Sequence, residues 1–396
     1  MSSFRLLYVT RRFRPLLGGL ENMAMRLFGE LARRGHTTTV VTPRWQGDWP
    51  AETDFPGVQV VRIPPPSAGC RGEATYARRL ATALRTRFAT TDVALVSGLL
   101  ADAYTTLRER RRGRLPVALQ AQRPGVQGDC HLQIEARGGR RLKQTCFGAD
   151  AFLALTPLLQ RELTAAGYAR SRIHRLTPGV PQRSVTEPQQ KAEARRNLAS
   201  ADPALALYVR TPLVVYVGRL RLGKGLDVLL AAWRRLAERG RPGMLWLVGE
   251  GPDAGYLREK TFELGIASSV RLTGAFDDVE DAFRAADVVV CPALDDSVGV
   301  GLLEAASFGL PIVAADLTTV RDFFRPDVEL QVYAKHDDAG LAEAIAAAID
   351  DPAAAAARGI AAQARVRREH SLARMADDYE QLLQRLITGR TPEAAL

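Results

Sequence analysis

Acidic residues are scarce in the first half of this chain. The 396 residues carry a net charge of +10. Residues 1–200 hold 32 Lys and Arg against 15 Asp and Glu, whereas the remainder holds 22 against 29. A basic first half suits an anionic partner: lipid headgroups, a lipid-linked phosphate or nucleic acid. Nucleic acid is the poorest fit, because the arginine-rich stretches lack aromatic residues interleaved for base stacking and match no binding motif. Cysteine is rare too. Cys70, Cys130, Cys146 and Cys291 are scattered with no C-x-x-C pair, which argues against a disulfide framework or a zinc site and for reduced thiols in a cytoplasmic protein. The five histidines show no metal-ligand spacing. No run of 18 apolar residues exists to cross a bilayer as a helix. Met1-Ser-Ser-Phe-Arg leads straight into apolar Leu6-Leu-Tyr-Val9 without a secretory pattern. There is no G-x-G-x-x-G fingerprint after the first strand, which disfavours a nicotinamide cofactor.

What is present is the pattern of a globular α/β protein: 46% hydrophobic and 25% charged residues. The length exceeds one ordinary core and predicts two domains. Short apolar runs at Arg5–Thr10, Thr38–Thr42, Val58–Ile63, Val93–Ser97, Val117–Gln120 and Ala151–Leu155 alternate with helical patterns, with Ile173–Thr177 as a further strand candidate. Such alternation implies a parallel sheet covered on both faces. The polar stretch Ser184–Arg196 breaks the rhythm and reads as a linker. Strands then recur at Leu213–Val217, Met244–Val248, Val270–Leu272, Val288–Cys291 and Pro311–Ala314, and the Ala-rich tract 339–365 and Ser371–Leu386 read as late helices. The expected domains are 1–190, joined by a terminal helix over 371–390, and 205–370.

Chemistry concentrates in the second domain. Gly218-Arg-Leu-Arg-Leu-Gly-Lys-Gly225 follows an apolar strand, so Arg219 and Lys224 flank a turn at a strand's carboxyl end. Two fixed cations beside glycine backbone make a diphosphate cradle, and the alternative is a solvated basic turn. Downstream, Asp296 and Glu304 bracket Ser297, Val298, Gly299, Val300 and Gly301, a strand-to-helix turn with backbone donors at the helix start. Carboxylates placed there hold sugar hydroxyls or merely complement the helix dipole. In the first domain, Gly18-Gly19 joins the first strand to the first helix, either as a phosphate-approaching loop or as a tight turn. His36 at that helix's end reads as structural. Tyr76, Leu80, Leu84 and Phe88 make one apolar stripe between arginines, either core or a membrane-facing side.

Together these segments resemble the retaining glycosyltransferases of family 4. The resemblance runs through Gly18-Gly19, Thr177-Pro-Gly-Val180, Val217-Gly-Arg-Leu220, Lys224-Gly-Leu-Asp227, Leu247-Val-Gly-Glu-Gly-Pro252, Leu272-Thr-Gly274, Asp296–Glu304 and Gly309-Leu-Pro311. It implies the GT-B fold, two doubly wound Rossmann-like domains facing across a cleft. It implies hexosyl transfer from a nucleoside diphosphate sugar to a glycan or lipid-linked acceptor, without a bound metal or cofactor. Arg219 and Lys224 would bind the diphosphate, Glu304 the ribose and Asp296 the donor sugar. Ser297, Val298, Gly299, Val300 and Gly301 would line the donor, with Gly18 and Gly19 closing over its phosphates. Arg123, with Gly125 and Asp129, sits on the loop expected to face the acceptor, and an anionic inner membrane surface would suit the basic half. The chain departs from the family at Asp296, where glutamate is common, at Ser297 for glycine and at Val298 for an aromatic. Thr318-Thr319 replaces a glycine pair, Pro178 and Pro181 replace Asn and Asp, and no histidine follows the fifth strand. A non-catalytic nucleotide-sugar-binding protein and an epimerase of the same fold are the competing readings.

Overall fold

A computed structural model describes residues 3–16, 18–110, 115–136, 138–201, 211–241, 243–274, 279–295 and 299–389, side chains at 200 and 201 excepted. The chain divides into two compact units. One takes in residues up to 16, 20–179 and 372 onward; the other takes in 180–371 with the glycine pair Gly18-Gly19.

The first unit contains β1 (Arg5–Val9), α1 (Gly19–Arg33), β2 (Thr37–Pro43), β3 (Glu52–Phe55), β4 (Val58–Ile63), α2 (Gly69–Phe88), β5 (Val93–Ser97), α3 (Ala101–Arg110), β6 (Val117–Ala121), α4 (Asp129–Glu135), α5 (Gly139–Cys146), β7 (Ala151–Ala154), α6 (Pro157–Ala165) and β8 (Ile173–Arg175). Its sheet order is β3-β4-β2-β1-β5-β6-β7-β8. Every pairing is parallel except β3 with β4. The central strands are buried along their whole length, as helices on both faces require. In α2, Tyr76, Leu80 and Leu84 are buried while Phe88 is half-exposed. The stripe is therefore core, each fully buried side chain worth about 1.5–3 kcal/mol, and it is not a membrane-facing side.

The second unit contains α7 (Pro188–Ala201), β9 (Leu213–Val217), α8 (Leu226–Glu238), β10 (Met244–Val248), α9 (Ala254–Glu263), β11 (Val270–Gly274), α10 (Glu280–Ala285), β12 (Val288–Cys291), α11 (Val300–Ser307), β13 (Ile312–Ala315), α12 (Thr318–Phe323), β14 (Gln331–Tyr333), α13 (Asp338–Asp350) and α14 (Pro352–Glu369). Its six strands are parallel in the order β11-β10-β9-β12-β13-β14. The stretch expected as a linker, Ser184–Arg196, is largely α7. Its Lys191 and Arg195 pair with Asp287 at 2.5 and 2.6 Å, at the start of β12. The Ala-rich tract is two helices, because Asp351 caps α14 through Ala354 N (2.9 Å) and Pro352 opens it.

The last helix, α15 (Leu372–Thr388), belongs to the first unit. It buries Met375, Tyr379, Leu382 and Leu383. Tyr379 donates its hydroxyl to Gln120 Oε1 (2.6 Å). Glu380 meets His36 Nε2 (3.1 Å) and Arg34 Nη1 (2.9 Å). Burial would raise the Glu380 carboxyl, but these hydrogen bonds hold it below its ordinary value. His36 Nδ1 accepts from Phe4 N (3.2 Å) and its ring stacks on Phe4, so this histidine is structural.

Candidate active site

In each unit the chain leaves a central strand to one side and later returns on the other. The reversal lies between β1 and β5 in the first unit and between β9 and β12 in the second. Open parallel sheets bind ligands outside the strand carboxyl ends at such a point.

In the second unit glycines let four backbone segments meet there. β9 ends at Val217, and Gly218 N donates to Val248 O (2.9 Å). A Cβ at Gly249 would overlap the carbonyl oxygen of Gly218, and one at Gly251 would overlap that of Leu220. The Gly-Glu-Gly of residues 249–251 is thus explained by the 218–224 loop running against it, tied by Leu220 N to Glu250 O (2.9 Å) and by Leu222 N to Asp253 Oδ2 (2.8 Å). Gly225, at φ 69°, turns the loop into α8, and a Cβ there would overlap Pro292 O. This close approach brings the loop against the exit of β12. Lys224 Nζ reaches Asp295 Oδ1 at 2.8 Å.

The helix α11 completes the arrangement. Gly299, at φ 66°, is its N-cap, and a Cβ on Gly301 would stand 3.8 Å from Val217 O, so the helix starts over the end of β9. Neither Gly225 nor Gly299 offers a side-chain acceptor to the first turn of its helix. By contrast α6, α13 and α14 are capped by Thr156, Asp337 and Asp351. Two glycine-capped N-termini therefore meet the strand ends, with N–H groups and a partial positive charge suited to an anion.

Among the sequence-predicted residues, Lys224, Gly299, Val300 and Gly301 come together here. Arg219 is exposed at the carboxyl end of β9, its carbonyl accepting from the Tyr216 hydroxyl (2.9 Å). Glu304 is buried in the second turn of α11. Asp296, Ser297 and Val298 lie outside the described residues. Asp295, the acid paired with Lys224, was not singled out in the sequence, although the Asp295-Asp296 doublet was the available signal. Cys291 ends β12, but burial pushes its thiol up to about 12, so it is no nucleophile near neutrality. Among the described residues no group of three His, Cys, Asp or Glu could hold a metal.

Gly18 and Gly19, grouped with the second unit, lie at the start of α1: Gly18 directly precedes the helix and Gly19 is its first residue. In the first unit, Arg123 is exposed after β6. Asp129, expected on the acceptor-facing loop, instead opens α4 and turns inward. It is buried, and its carboxylate accepts from Leu99 N (3.3 Å), Gln122 N (2.6 Å) and Arg123 N (3.3 Å). It staples the loops after β5 and β6. At the strand ends stands a cluster that the sequence reading missed. Arg11 Nε bonds Asp102 (2.9 Å), its Nη groups bond Glu73 (3.2 and 2.8 Å), and its guanidinium lies 4.3 Å over the Tyr76 ring. Burial pushes the Asp102 carboxyl up to about 6 against the opposing pull of Arg11.

Two family descriptions match this chain: "Glycosyltransferase Family 4" over residues 17–183 and "Glycosyl transferases group 1" over 211–351. A D-inositol 3-phosphate glycosyltransferase of Xylanimonas cellulosilytica is 31% identical over 61% of this chain and 60% of its own length. The chain thus spans less than two thirds of that relative. A GDP-mannose-dependent α-(1-6)-phosphatidylinositol monomannoside mannosyltransferase of Mycolicibacterium smegmatis is 27% identical over 90% of this chain and 92% of its own. Sucrose-phosphate synthase of Thermosynechococcus elongatus shares the fold with a TM-score of 0.79 at 19% identity, over 98% of this chain and 100% of that one. Anabaena HepE, solved with UDP-glucose, does so at 0.76 and 16% identity, over 96% and 99%. The pair of doubly wound parallel sheets is the GT-B fold, and with family descriptions matched in each unit, the chain belongs to the family 4 glycosyltransferases.

Proposed function

We propose that this protein transfers a hexosyl unit from a nucleoside diphosphate sugar to a glycan or lipid-linked acceptor, with retention at the anomeric carbon. The observation that carries the reading is the meeting of the Arg219–Lys224 loop with the N-termini of α8 and α11 at the end of β9. The bond from the anomeric carbon to the diphosphate oxygen breaks, and its electron pair leaves with the diphosphate. Arg219, Lys224 and the two helix starts stabilise that growing charge, which is where fixed donors lower a barrier most. The acceptor oxygen bonds the same face of the anomeric carbon and passes its proton to the departing phosphate. These cations and dipoles do the work that a metal does in other transferases. Glu304 holds the ribose, Asp296 the donor sugar, and the backbone of 297–301 with Gly18 and Gly19 approaches the donor. Arg123 contacts the acceptor.

The relatives' names favour an acceptor built on an inositol phosphate or a phosphatidylinositol glycan, and the HepE complex illustrates a nucleoside diphosphate glucose on this fold. Such an acceptor belongs at a cytoplasmic membrane face, and the basic first half suits anionic lipid. We read the attachment there as peripheral; no described helix is long and apolar enough to cross a membrane.

A thermal-shift screen of nucleoside diphosphates and their sugars tests the donor assignment. One nucleoside diphosphate should stabilise the protein, and its sugar conjugate should be consumed only when an acceptor is added. Release of an epimerised sugar nucleotide without acceptor would replace transfer by epimerisation. Binding without turnover on any inositol- or lipid-linked acceptor would support a non-catalytic protein.

A further inference from the structure

We propose that α4 and α5 of the first unit form a docking face for an anionic lipid surface. The inference rests on the lipid-linked acceptor reading and locates its partner. Among the described residues Val126 is 75% exposed, Ile134 72% and Phe147 40%, unusual values for large apolar side chains. Cys130 and Ile134 are spaced i, i+4 on α4, and Val126 stands in the turn that precedes it. The neighbouring line, Asp129 and Gln133, is buried and fastened. Asp129 takes the three backbone bonds described above, while Gln133 donates to Leu99 O (2.7 Å) and accepts from the Tyr168 hydroxyl (2.7 Å). The helix is thus fastened along one line, with half-exposed Cys130 and projecting Ile134 along the next.

The second helix adds charge to that line. Lys143 lies close enough to act on the Cys130 thiol, and its ammonium stands 6.0 Å from the Phe147 ring. Arg140 and Arg141 are exposed on α5, and Arg123 is exposed just before α4. Among the described residues no acid forms an ion pair with Arg123, Arg140, Arg141 or Lys143. The local acids are Asp129, which is buried and acts electrostatically on Arg123; Glu135, which faces His131 at 3.8 Å; and Glu162, whose carboxylate accepts from Gly125 N (2.8 Å). An excess of cations, Arg123, Arg140, Arg141 and Lys143, around projecting apolar side chains matches anionic headgroups above an acyl layer.

Full-length protein is tested by co-sedimentation with phosphatidylcholine vesicles, with and without phosphatidylglycerol. Wild type should bind only the anionic vesicles and release with salt. Val126→Ser with Ile134→Ser should weaken binding on the order of tenfold. Arg140→Glu with Arg141→Glu should weaken it at least about thirtyfold. Arg78→Glu with Arg79→Glu, on exposed positions of α2, should cost much less. Thermal unfolding checks that each variant folds, and the arginine pair carries the test if the serine pair does not. Unchanged nucleoside diphosphate binding in the variants separates loss of docking from loss of the donor site. Wild type that ignores anionic vesicles, variants that bind as wild type, or an α4 variant that instead abolishes self-association in sedimentation velocity would overturn the proposal.

Discussion

The two strand-end crevices share a topology and differ in how their cations are balanced. In the first unit Arg11 is engaged on every nitrogen by Asp102 and Glu73, and Arg12 is paired with Glu21 at 2.7 Å. In the second unit Lys224 meets Asp295 across a pair in which the carboxylate is half exposed, 49% against 26% for the lysine. Two helix starts without side-chain caps point at the same place. The first crevice ties its arginines to acids, whereas the second pairs Lys224 with a half-exposed acid and adds two helix starts whose N-caps are glycines. Under the proposed function, a common scaffold separates into a framework site and an anion site through a few side chains on its loops.

The largest effect should come from Arg219→Ala and Lys224→Ala, each lowering kcat/KM by about 2–4 kcal/mol of barrier, with donor-only nucleotide binding weakened as well. Steady-state transfer assays check this, and near-wild-type turnover in both variants would erase the contrast between crevices. Next, Gly225→Ala forces a Cβ against Pro292 O at a left-handed position. It should destabilise the second unit by about 2–4 kcal/mol, read by urea unfolding. The equivalent test in the first unit is Asp102→Asn. Because burial raises Asp102 to about 6, the folded state binds its proton more tightly than the unfolded chain. That contribution is full below about pH 4 and is lost as pH rises through 6. The stability of Asp102→Asn relative to wild type should therefore climb by about 2–3 kcal/mol between pH 4 and 7. A flat difference would mean that Arg11 fully compensates the carboxylate. The smallest effect is Asp295→Asn. If Asp295 competes with the diphosphate for Lys224, calorimetry should show nucleoside diphosphate bound up to about fivefold tighter, in keeping with a pair worth at most about 1 kcal/mol.

Much of the scaffold behind this contrast is legible in the sequence. Continuous apolar runs such as Leu213–Val217 can only be strands buried on both faces, and the glycines around Lys224 mark a turn that another backbone approaches. The antiparallel strand Glu52–Phe55 was missed because an edge strand of alternating polar residues carries no apolar run. The stretch Ser184–Arg196 reads as a linker because α7 buries few apolar side chains, Ala194 and Leu198, and is held to the second unit by the ion pairs of Lys191 and Arg195 as well. Of the site, Lys224 and the helix start at Gly299 were readable from local spacing. Its partner Asp295 was not, since their contact joins loops after strands that are neighbours through β9 and β12 yet distant in sequence. Arg11, Asp102 and Glu73 were hidden for the same reason.

The path of the chain has a consequence for how the molecule is made. The first unit is left incomplete at residue 179, and the chain returns to it only at 372. Until α15 emerges from the ribosome, Gln120, His36 and Arg34 lack the partners that Tyr379 and Glu380 bring. The segment translated first is therefore the one finished last, and a nascent chain arrested before 372 would hold a completed second unit attached to an open first one.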